Sequence, residues 1–317
     1  MMAEITKDNS QSASLVSLCN DYEHYLRCIA QFDKGVSGWL ADYKIWVKDD
    51  LGTRILEKLD VAVPKGGQLR ILGVGSGEGE VECNLISRVL TTYRSIHNTV
   101  VDPSVTQLDL YNARVKDIQQ QSALRGVDFD WHAETLAQYR LSSEQSGDQT
   151  KFHLISALFC LYYEPDMDSM LDYLYSRLEP GGVLLVALES EKCDVIKIEE
   201  RFRFAQDDLN PLFSSRDLRD YFSGHSIPHA VCGQLNEHHD FDITAAFDDS
   251  SEEGALLLDF LSNVLNFRES VSSSVLEEFK AYLRSLATGR DGKEFLYYDS
   301  EHIIAWKPRM ATSRKEL

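Results

Sequence analysis

Apolar and polar positions along the chain follow two periods, one typical of helices and one typical of buried strands. Residues 15–59 place apolar and aromatic side chains at helical spacing, which predicts two or three helices before the first strand. From residue 69 to residue 190, short apolar runs alternate with amphipathic segments. Such regular alternation predicts an α/β fold, a parallel sheet with helices on both faces.

The pattern changes after residue 190. Two amphipathic helices are predicted over residues 254–267 and 274–286. Two extended segments within residues 293–308 follow them, and we predict that these form a closing hairpin pair. Because the strands of a mostly parallel sheet end at a common edge, a ligand site is expected beyond their carboxyl ends.

Composition narrows the class of protein. The 317 residues carry a formal net charge of -19, which repels phosphate backbones and anionic lipid and argues against nucleic-acid or membrane partners. No apolar run reaches the roughly 18 residues of a membrane span, and the amino terminus lacks the pattern of a signal peptide. The six cysteines form no CxxC pair, which indicates reduced thiols in a cytoplasmic protein and predicts no metal site.

A glycine cluster follows the first predicted strand, in the stretch ILGVGSGEGE over residues 71–80. Glycines between a strand and a helix leave backbone N–H groups free and allow a ligand to lie against the chain. Gly75, Gly77 and Gly79 read GxGxG, whereas a dinucleotide site reads GxGxxG and would need glycine at Glu80. The turn is therefore similar to the first motif of the class I methyltransferases, which binds S-adenosylmethionine (SAM).

Further cofactor positions are predicted where the next strands end. Asp102 ends the second strand, and its carboxylate can accept hydrogen bonds from both ribose hydroxyls of NAD or of SAM. The alternative is that Asp102 caps the helix that follows. Gln107 lies one turn further on the same side. Thr135 and Leu136 follow the third strand, beside the expected adenine, and Leu158 ends the fourth.

Aromatic residues follow the fourth strand, where this class of fold presents the methyl group to its acceptor. Phe159 directly follows Leu158, and Tyr162 and Tyr163 come just beyond. Tyrosine faces can hold a cationic sulfonium or amine through cation–π attraction, which makes the two tyrosines candidate catalytic residues. The alternative, that both tyrosines pack against the next helix, remains open on the sequence alone.

Several stretches together resemble one family, the histamine N-methyltransferases, over most of the chain. In that family a Rossmann-like SAM-binding domain, with a mostly parallel seven-stranded sheet, carries a smaller helical substrate region, and the monomeric enzyme methylates a ring nitrogen of histamine. The resemblance implies an N-terminal helical segment covering the substrate site (1–60), a SAM-binding core (61–190) and a C-terminal part with substrate-region helices and closing strands (191–317). The shared stretches are ILGVGSGEGEVE, VVDPSVTQ, FDWHAET, LYY, RFAQDDL and LLLDFLSNVLNF.

The resemblance also implies roles for individual residues. Gly75, Asp102, Gln107 and Leu158 match the cofactor positions of the family, and Leu136 replaces a serine, which leaves a backbone contact. The residues at the substrate positions differ from those of the family more than the residues at the cofactor positions do. Tyr162, Tyr163 and Phe260 match, whereas the other substrate positions hold Gly38 for a glutamate, Phe159 for a glutamine, Asp299 for an asparagine, and Cys193 and Lys197 for tryptophans.

These observations predict a SAM-dependent N-methyltransferase that acts on a nitrogen of a small, histamine-like amine or imidazole and releases S-adenosylhomocysteine (SAH). Asp299 keeps an acidic group that favours a cationic amine. The alternatives are another acceptor, such as a carnosine-like dipeptide or an oxygen nucleophile, and a catalytically silent SAM-binding scaffold. The changed substrate positions leave these alternatives open.

Overall fold

A computed structural model describes residues 15–120, 124–204, 212–232 and 240–309, except the side chains of residues 37–40. The chain divides into two compact units, and the division into three consecutive segments that the resemblance implies stays a prediction. The smaller unit comprises Met1–Ser37, Lys192–Leu209 and His238–Tyr298, and the larger unit comprises Gly38–Glu191, Asn210–Glu237 and Asp299–Leu317.

Helices and strands alternate through the larger unit, as the periodicity predicts. The helices are α1 (Tyr22–Gly35), α2 (Ser37–Trp46), α3 (Gly52–Lys58), α4 (Glu80–Val89), α5 (Val105–Gln120), α6 (Leu136–Ser146), α7 (Met167–Ser176), α8 (Asp194–Arg201), α9 (Ser215–Gly224), α10 (Glu252–Ser262), α11 (Phe267–Ser270) and α12 (Ser273–Leu286). The strands are β1 (Leu69–Val74), β2 (Ile96–Val101), β3 (Val127–His132), β4 (Phe152–Leu158), β5 (Leu178–Glu189), β6 (His229–Cys232), β7 (Asp240–Asp242), β8 (Thr288–Arg290), β9 (Lys293–Tyr297) and β10 (Ser300–Trp306).

The larger unit is built on a seven-stranded sheet in the order β3-β2-β1-β4-β5-β10-β6. Strands β1 to β5 are parallel, and β10 pairs antiparallel with both β5 and β6. This confirms the predicted Rossmann-like α/β fold with a mostly parallel sheet. The order reverses at β1 and β4, so that the loops after these two strands meet at the switch point where open sheets bind ligands.

The two faces of this sheet bury separate apolar clusters, because successive side chains of a strand point to opposite faces. Leu69 and Ile71 of β1 pack with side chains from α3, α4 and α5, whereas Leu72 and Val74 pack with side chains from α6, α7 and α9. Both faces are therefore covered by helices, which explains the nearly continuous apolar runs of the central strands.

Between residue 15 and β1 the structure has three α-helices, in agreement with the predicted two or three. Asp21 caps α1 by accepting the N–H of His24, and a π-helical turn over Val47–Leu51 joins α2 to α3. None of the helices within the described ranges is long and apolar enough to cross a membrane. No disulfide joins the six cysteines.

The prediction of a closing hairpin over residues 293–308 is wrong. Strand β9 belongs to a three-stranded sheet of the smaller unit, in the order β7-β9-β8, whereas β10 belongs to the seven-stranded sheet. The hairpin partner of β9 is β8, through a turn in which Asp291 and Gly292 have φ angles of 53° and 75°. Two such left-handed residues are the geometry of a two-residue hairpin, and the sequence Asp-Gly favours it.

Candidate functional site

The glycine turn, residues 75–79, is held by left-handed glycines and by a backbone hydrogen bond. Gly75, Gly77 and Gly79 have φ angles of 59°, 54° and 71°. The N–H of Gly75 donates to the carbonyl oxygen of Val101 at 2.8 Å, which ties the turn to the end of β2. Other residues are strained at these φ values, and this explains the glycine at every second position.

The turn is packed on one side and open in its middle. A Cβ at Gly75 would lie 2.4 Å from Cβ of Cys160, which follows β4. At Gly77, by contrast, a Cβ would have Oε1 of Gln107, at 3.8 Å, as its one neighbour within 4 Å among the described residues. The middle of the turn therefore leaves room for a ligand against bare backbone, with the Gln107 amide beside it.

Asp102 connects the turn to the start of α5. Its Oδ2 accepts the N–H of Gly77 at 2.9 Å, and its Oδ1 accepts the N–H of Ser104 at 2.9 Å. Burial raises the pKa of Asp102, while the two backbone hydrogen bonds oppose that rise. Oγ of Ser104 accepts the N–H of Gln107 in the first turn of α5 at 3.2 Å. Ser104, rather than Asp102, therefore caps this helix.

The two residues predicted beside the adenine use their side chains within the fold. Thr135 caps α6, because its Oγ1 accepts the N–H of Gln138 at 3.2 Å and its N–H donates to the Gln138 side chain. Leu136 is 4% exposed and packs into the core. The side chains of both residues are therefore engaged within the fold, and a cofactor contact by either residue stays a prediction.

The chain leaves β4 through a strained residue next to the glycine turn. The N–H of Phe159 donates to the carbonyl oxygen of Ala187 at 2.9 Å, which places Phe159 directly after Leu158 at the sheet edge. Its φ angle is 54°, which is rare for an aromatic residue. Sγ of Cys160 then lies 3.4 Å from the carbonyl oxygen of Val74. Strained backbone of this kind is common at functional sites.

The two candidate catalytic tyrosines lie in a short 3₁₀ turn over Leu161–Tyr163. Their ring centroids are 4.5 Å apart in an edge-to-face arrangement. Tyr162 packs against the apolar cluster that includes residues of α7, and Tyr163 is 40% exposed. The packing interpretation therefore holds for Tyr162, and a catalytic role for either ring stays a prediction.

Asp299 lies at the same edge of the sheet. It directly precedes β10, is 9% exposed, and its Oδ2 accepts a hydrogen bond from the hydroxyl of Ser190, which follows β5. The antiparallel register that pairs Ser300 with Glu189 brings these two side chains together. The carboxylate therefore stands beyond the carboxyl end of β5, a place where parallel sheets present functional side chains.

Sequence reasoning missed His302, in the middle of β10. Its Nε2 is hydrogen-bonded to the Tyr43 hydroxyl at 2.7 Å, and its ring meets those of Trp46 and Phe159 edge-on, at centroid distances of 5.0 and 5.8 Å. Burial lowers the pKa of His302 to about 3, so the imidazole is neutral near pH 7. The only signal in the sequence is a histidine inside an apolar strand.

Three predicted substrate residues belong to the smaller unit. Phe260 stacks on Phe32 with a centroid distance of 5.0 Å. Cys193 is fully buried at the start of α8, and Nζ of Lys197 lies 2.8 Å from Oδ1 of Asp194. The aromatic ring of Phe260 has the packing of a core side chain, and substrate roles for the three residues stay predictions.

Two sequence observations fall outside the part that the structure describes. Gly38 lies in α2, but the side-chain surroundings of residues 37–40 are not among the described features. Most of the stretch RFAQDDL also lies outside, since its residues 205–209 belong to the range 205–211. A substrate role for Gly38 therefore stays a prediction.

Metal-ligating side chains come together at one place in the smaller unit. The ligand atoms of His24, Cys28 and Asp259 all lie within 4.8 Å of one another. The carboxylate of Asp259 accepts hydrogen bonds from His24 at 2.7 Å and from the N–H groups of Asn266 and Phe267 at 3.2 and 2.7 Å. These bonds occupy three of the roughly four lone-pair positions of the carboxylate, which gives the cluster a structural function.

Comparison with known proteins agrees with this geometry. A protein-family model described as a methyltransferase domain matches residues 46–230. Histamine N-methyltransferase from Cavia porcellus is 30% identical over 204 residues, covering 63% of this chain and 68% of that protein. Histamine N-methyltransferase B from Xenopus laevis is 28% identical over 232 residues, or 70% and 76%, and the Rattus norvegicus enzyme is 28% identical over 244 residues, or 75% and 81%.

The fold, the glycine turn and the matching domain define a class I SAM-dependent methyltransferase. Within that class, the chain belongs to the histamine N-methyltransferase family. Its cofactor is therefore SAM, and the remaining question is which residues hold the cofactor and what accepts the methyl group.

Proposed function

We propose that the chain transfers a methyl group from SAM to a nitrogen of a small cationic amine or imidazole compound. When bound, SAM supplies an electrophilic methyl group on its sulfonium. The proposed cofactor residues are those that the sequence predicts at the glycine turn and near the ends of β2, β3 and β4: Gly75, Gly77, Gly79, Asp102, Gln107, Thr135, Leu136 and Leu158.

The described residues fit the cofactor. The space beside Gly77 admits a ligand, and the Asp102 carboxylate at the end of β2 suits the two ribose hydroxyls. Helix α4 begins directly after the turn, at Glu80, so its N-terminal dipole and free N–H groups favour the carboxylate of an amino acid. Each part of SAM thus has a matching group in the larger unit.

The acceptor class rests on one observation, the buried carboxylate of Asp299. Within the described ranges, the partner of its Oδ2 is a neutral hydroxyl, that of Ser190, rather than a cation. An ammonium or a protonated imidazole side group would form a charge-assisted hydrogen bond with such a carboxylate. The names of the relatives, all histamine N-methyltransferases, support an amine or imidazole acceptor.

The residues around this edge can align the acceptor and exclude water. Phe159 and Trp46 present aromatic surface near the neutral His302, and none of these three side chains carries a charge near pH 7. Methyl transfer to nitrogen needs an unprotonated nucleophile that is aligned and desolvated, and the product can lose its proton afterwards. The proposal therefore requires no strong general base.

The function is tested by mass spectrometry of the products formed from SAM and a mixed pool of amines, imidazoles, histidine-containing dipeptides and phenols. We expect a mass increase of one methyl group on an amine or imidazole nitrogen. Methylation of a dipeptide or of a phenol oxygen would show that the acceptor is not a small amine or imidazole compound. SAM binding without any methylated product across the pool would favour the silent scaffold.

A charge-removing substitution tests the carboxylate. We expect Asp299→Asn to lower kcat/KM for acceptors that carry a second cationic group by about 10-fold or more, since one charge-assisted hydrogen bond is worth about 1.5–3 kcal/mol. Acceptors without that cation should change by less than about 3-fold. The measurement is steady-state kinetics with matched acceptor pairs.

Ser190→Ala is the matched control, because it removes the hydrogen bond to Asp299 and keeps the charge. Asp299→Asn removes the charge and keeps this hydrogen bond, since the amide oxygen can still accept from the Ser190 hydroxyl. Equal losses for cationic and neutral acceptors in Asp299→Asn would show that the carboxylate has a purely structural role.

We further propose that the protein is a cytoplasmic monomer without a nucleic-acid partner. The net charge of -19 supports the last point, because it opposes association with phosphate backbones. Light scattering after size exclusion tests the oligomeric state, and a stable dimer at micromolar concentration would contradict it.

A further inference from the structure

A buried carboxyl group lies beneath the glycine turn. Glu82, in the first turn of α4, is 5% exposed, and its Oε1 accepts a hydrogen bond from Nδ2 of Asn98 at 3.0 Å. Asn98 belongs to β2 and is fully buried. The Glu82 side chain therefore reaches from the helix after the turn back to β2.

The space for this carboxyl comes from a glycine in β1. A Cβ at Gly73 would lie 2.2 Å from Oε1 and 2.4 Å from Oε2 of Glu82. Gly73 stands two residues before Gly75, the first glycine of the turn. Any side chain at position 73 would therefore displace the Glu82 carboxyl. Glycine in β1 leaves the space that this acidic side chain of α4 fills.

This carboxyl has no compensating charge in the part of the chain that the structure describes. Its Oε2 is buried and has no hydrogen bond of good geometry there, although the hydroxyls of Ser76 and Tyr111 approach the group. The charged neighbour that acts on it is another acid, Asp102. Burial, and then Asp102, raise the pKa of Glu82, because both disfavour a second negative charge at this place.

A positively charged ligand on the turn would stabilise the negative charge of the buried Glu82 carboxylate. SAM carries an ammonium and a sulfonium, whereas SAH keeps the ammonium and has lost the sulfonium charge. We propose that Glu82 is a positioning residue whose negative charge makes the site bind SAM more tightly than SAH. It acts through the low-dielectric interior beneath the turn rather than by touching the cofactor. This inference rests on the cofactor placement proposed above.

Proton linkage follows from the same geometry. A SAM cation near Glu82 lowers its pKa, so that SAM binding releases protons where the free carboxyl is partly protonated, and the preference for SAM over SAH declines as pH falls through that pKa. Cys83 and Tyr111 also face this region, but burial raises the pKa of Cys83 to about 12 and that of Tyr111 well above its usual value. Of these groups, Glu82 and Asp102 are the two carboxyls, and burial raises the pKa of both.

A basic side chain near these groups is already paired. Arg114, on the same helix as Tyr111, lies 3.0 Å from Oε2 of Glu78 and 3.8 Å from Oε1 of Glu80. Both glutamates are partly exposed, so this ion-pair cluster sits at the surface above the buried carboxyl. Arg114 is therefore balanced by its own acidic neighbours.

The test is isothermal calorimetry of the full-length protein and Glu82→Gln with SAM and with SAH, in two buffers of different ionisation enthalpy. We expect Glu82→Gln to weaken SAM binding by about 10-fold and SAH binding by less than about 2-fold. Proton release on SAM binding, measured for the wild type over a series of pH values, should decrease in this variant. A spectroscopic melting curve confirms that the variant is folded.

Glu80→Gln is the matched control, because it makes the same change on the same helix at a partly exposed residue that pairs with Lys44 at 2.8 Å. Its preference for SAM over SAH should equal that of the wild type. Glu82→Asp, which keeps the charge, should retain most of the preference.

Two results would overturn the proposal. One is an unchanged ratio of SAM to SAH affinity in Glu82→Gln, which would leave Glu82 a purely structural role. The other is the absence of proton release and of any pH dependence of that ratio in the wild type, a measurement that does not require the variant to fold. An incorrect cofactor placement has a different signature, since Asp102→Ala would then bind both ligands normally.

Discussion

Asp102→Ala is expected to weaken SAM binding by about a hundredfold or more while the protein stays folded. The proposed role of the carboxylate is to accept hydrogen bonds from two ribose hydroxyls, and each charge-assisted bond is worth about 1.5–3 kcal/mol. The same carboxylate holds the N–H of Gly77, so alanine also releases the middle of the glycine turn. Calorimetry with SAM measures the loss.

The fold should tolerate this change because the carboxylate is costly in the ligand-free protein. Burial raises the pKa of Asp102, which means that the folded state penalises its charged form near pH 7. Removing the charge therefore offsets part of the two lost backbone hydrogen bonds, and we expect a change of about 1 kcal/mol in the free energy of unfolding. Asp102→Asn, which keeps one oxygen acceptor, should bind SAM with intermediate affinity.

Asp109→Ala is the control for Asp102→Ala, since it removes an exposed aspartate from α5, the helix that follows Asp102. It should bind SAM as the wild type does. Normal SAM binding by Asp102→Ala would show that the carboxylate has no contact with the ribose, and the proposed cofactor placement would then be wrong.

The parallel part of the sheet could be predicted from the sequence because its signals are local. Most of the strands β1 to β5 are short, largely apolar runs, β3 alternates apolar and polar residues, and the helices between them show their own period. The glycine turn and Asp102 were also predictable, since they follow consecutive strands whose ends share one edge. Local pattern and topology rules were sufficient for these parts.

The sequence could not assign β9 and β10 to their sheets. Both segments are extended and only two residues separate them, which looks like a hairpin when partners are chosen by proximity in sequence. The actual partners are β8 for β9 and the distant β5 and β6 for β10. Strand pairing over such distances is decided by tertiary packing, for which a single sequence carries no local signal.

Side-chain pairs that join distant elements were likewise invisible. The hydrogen bonds from Ser190 to Asp299 and between Tyr43 and His302 span 109 and 259 residues of sequence. Glu82 lies within the predicted helix, but nothing local indicates that its carboxyl turns inward against Gly73. Such contacts depend on the register of the sheet and on which helix face is buried, so they emerge only with the three-dimensional structure.

Gly79→Ala is expected to destabilise the fold by about 3 kcal/mol, which combines two costs. The φ angle of Gly79 is 71°, a conformation that costs an L-residue about 1–2 kcal/mol. The added Cβ would also lie 2.1 Å from the ring of Tyr111, and overpacking of this kind costs about 1–3 kcal/mol. The Tyr111 ring is fully buried and meets Trp131 edge-on at 5.1 Å, which restricts its movement. Urea unfolding measures the free energy.

Gly147→Ala separates the two costs. Gly147 ends α6 with a φ angle of 68°, almost that of Gly79, but a Cβ there would have no described atom within 4 Å. Its replacement should therefore cost only the conformational share, about 1 kcal/mol. Equal losses in the two variants would mean that the Tyr111 ring moves aside without cost. A larger loss in Gly79→Ala would show that the rigid contact between the turn and α5 keeps the glycine turn in shape.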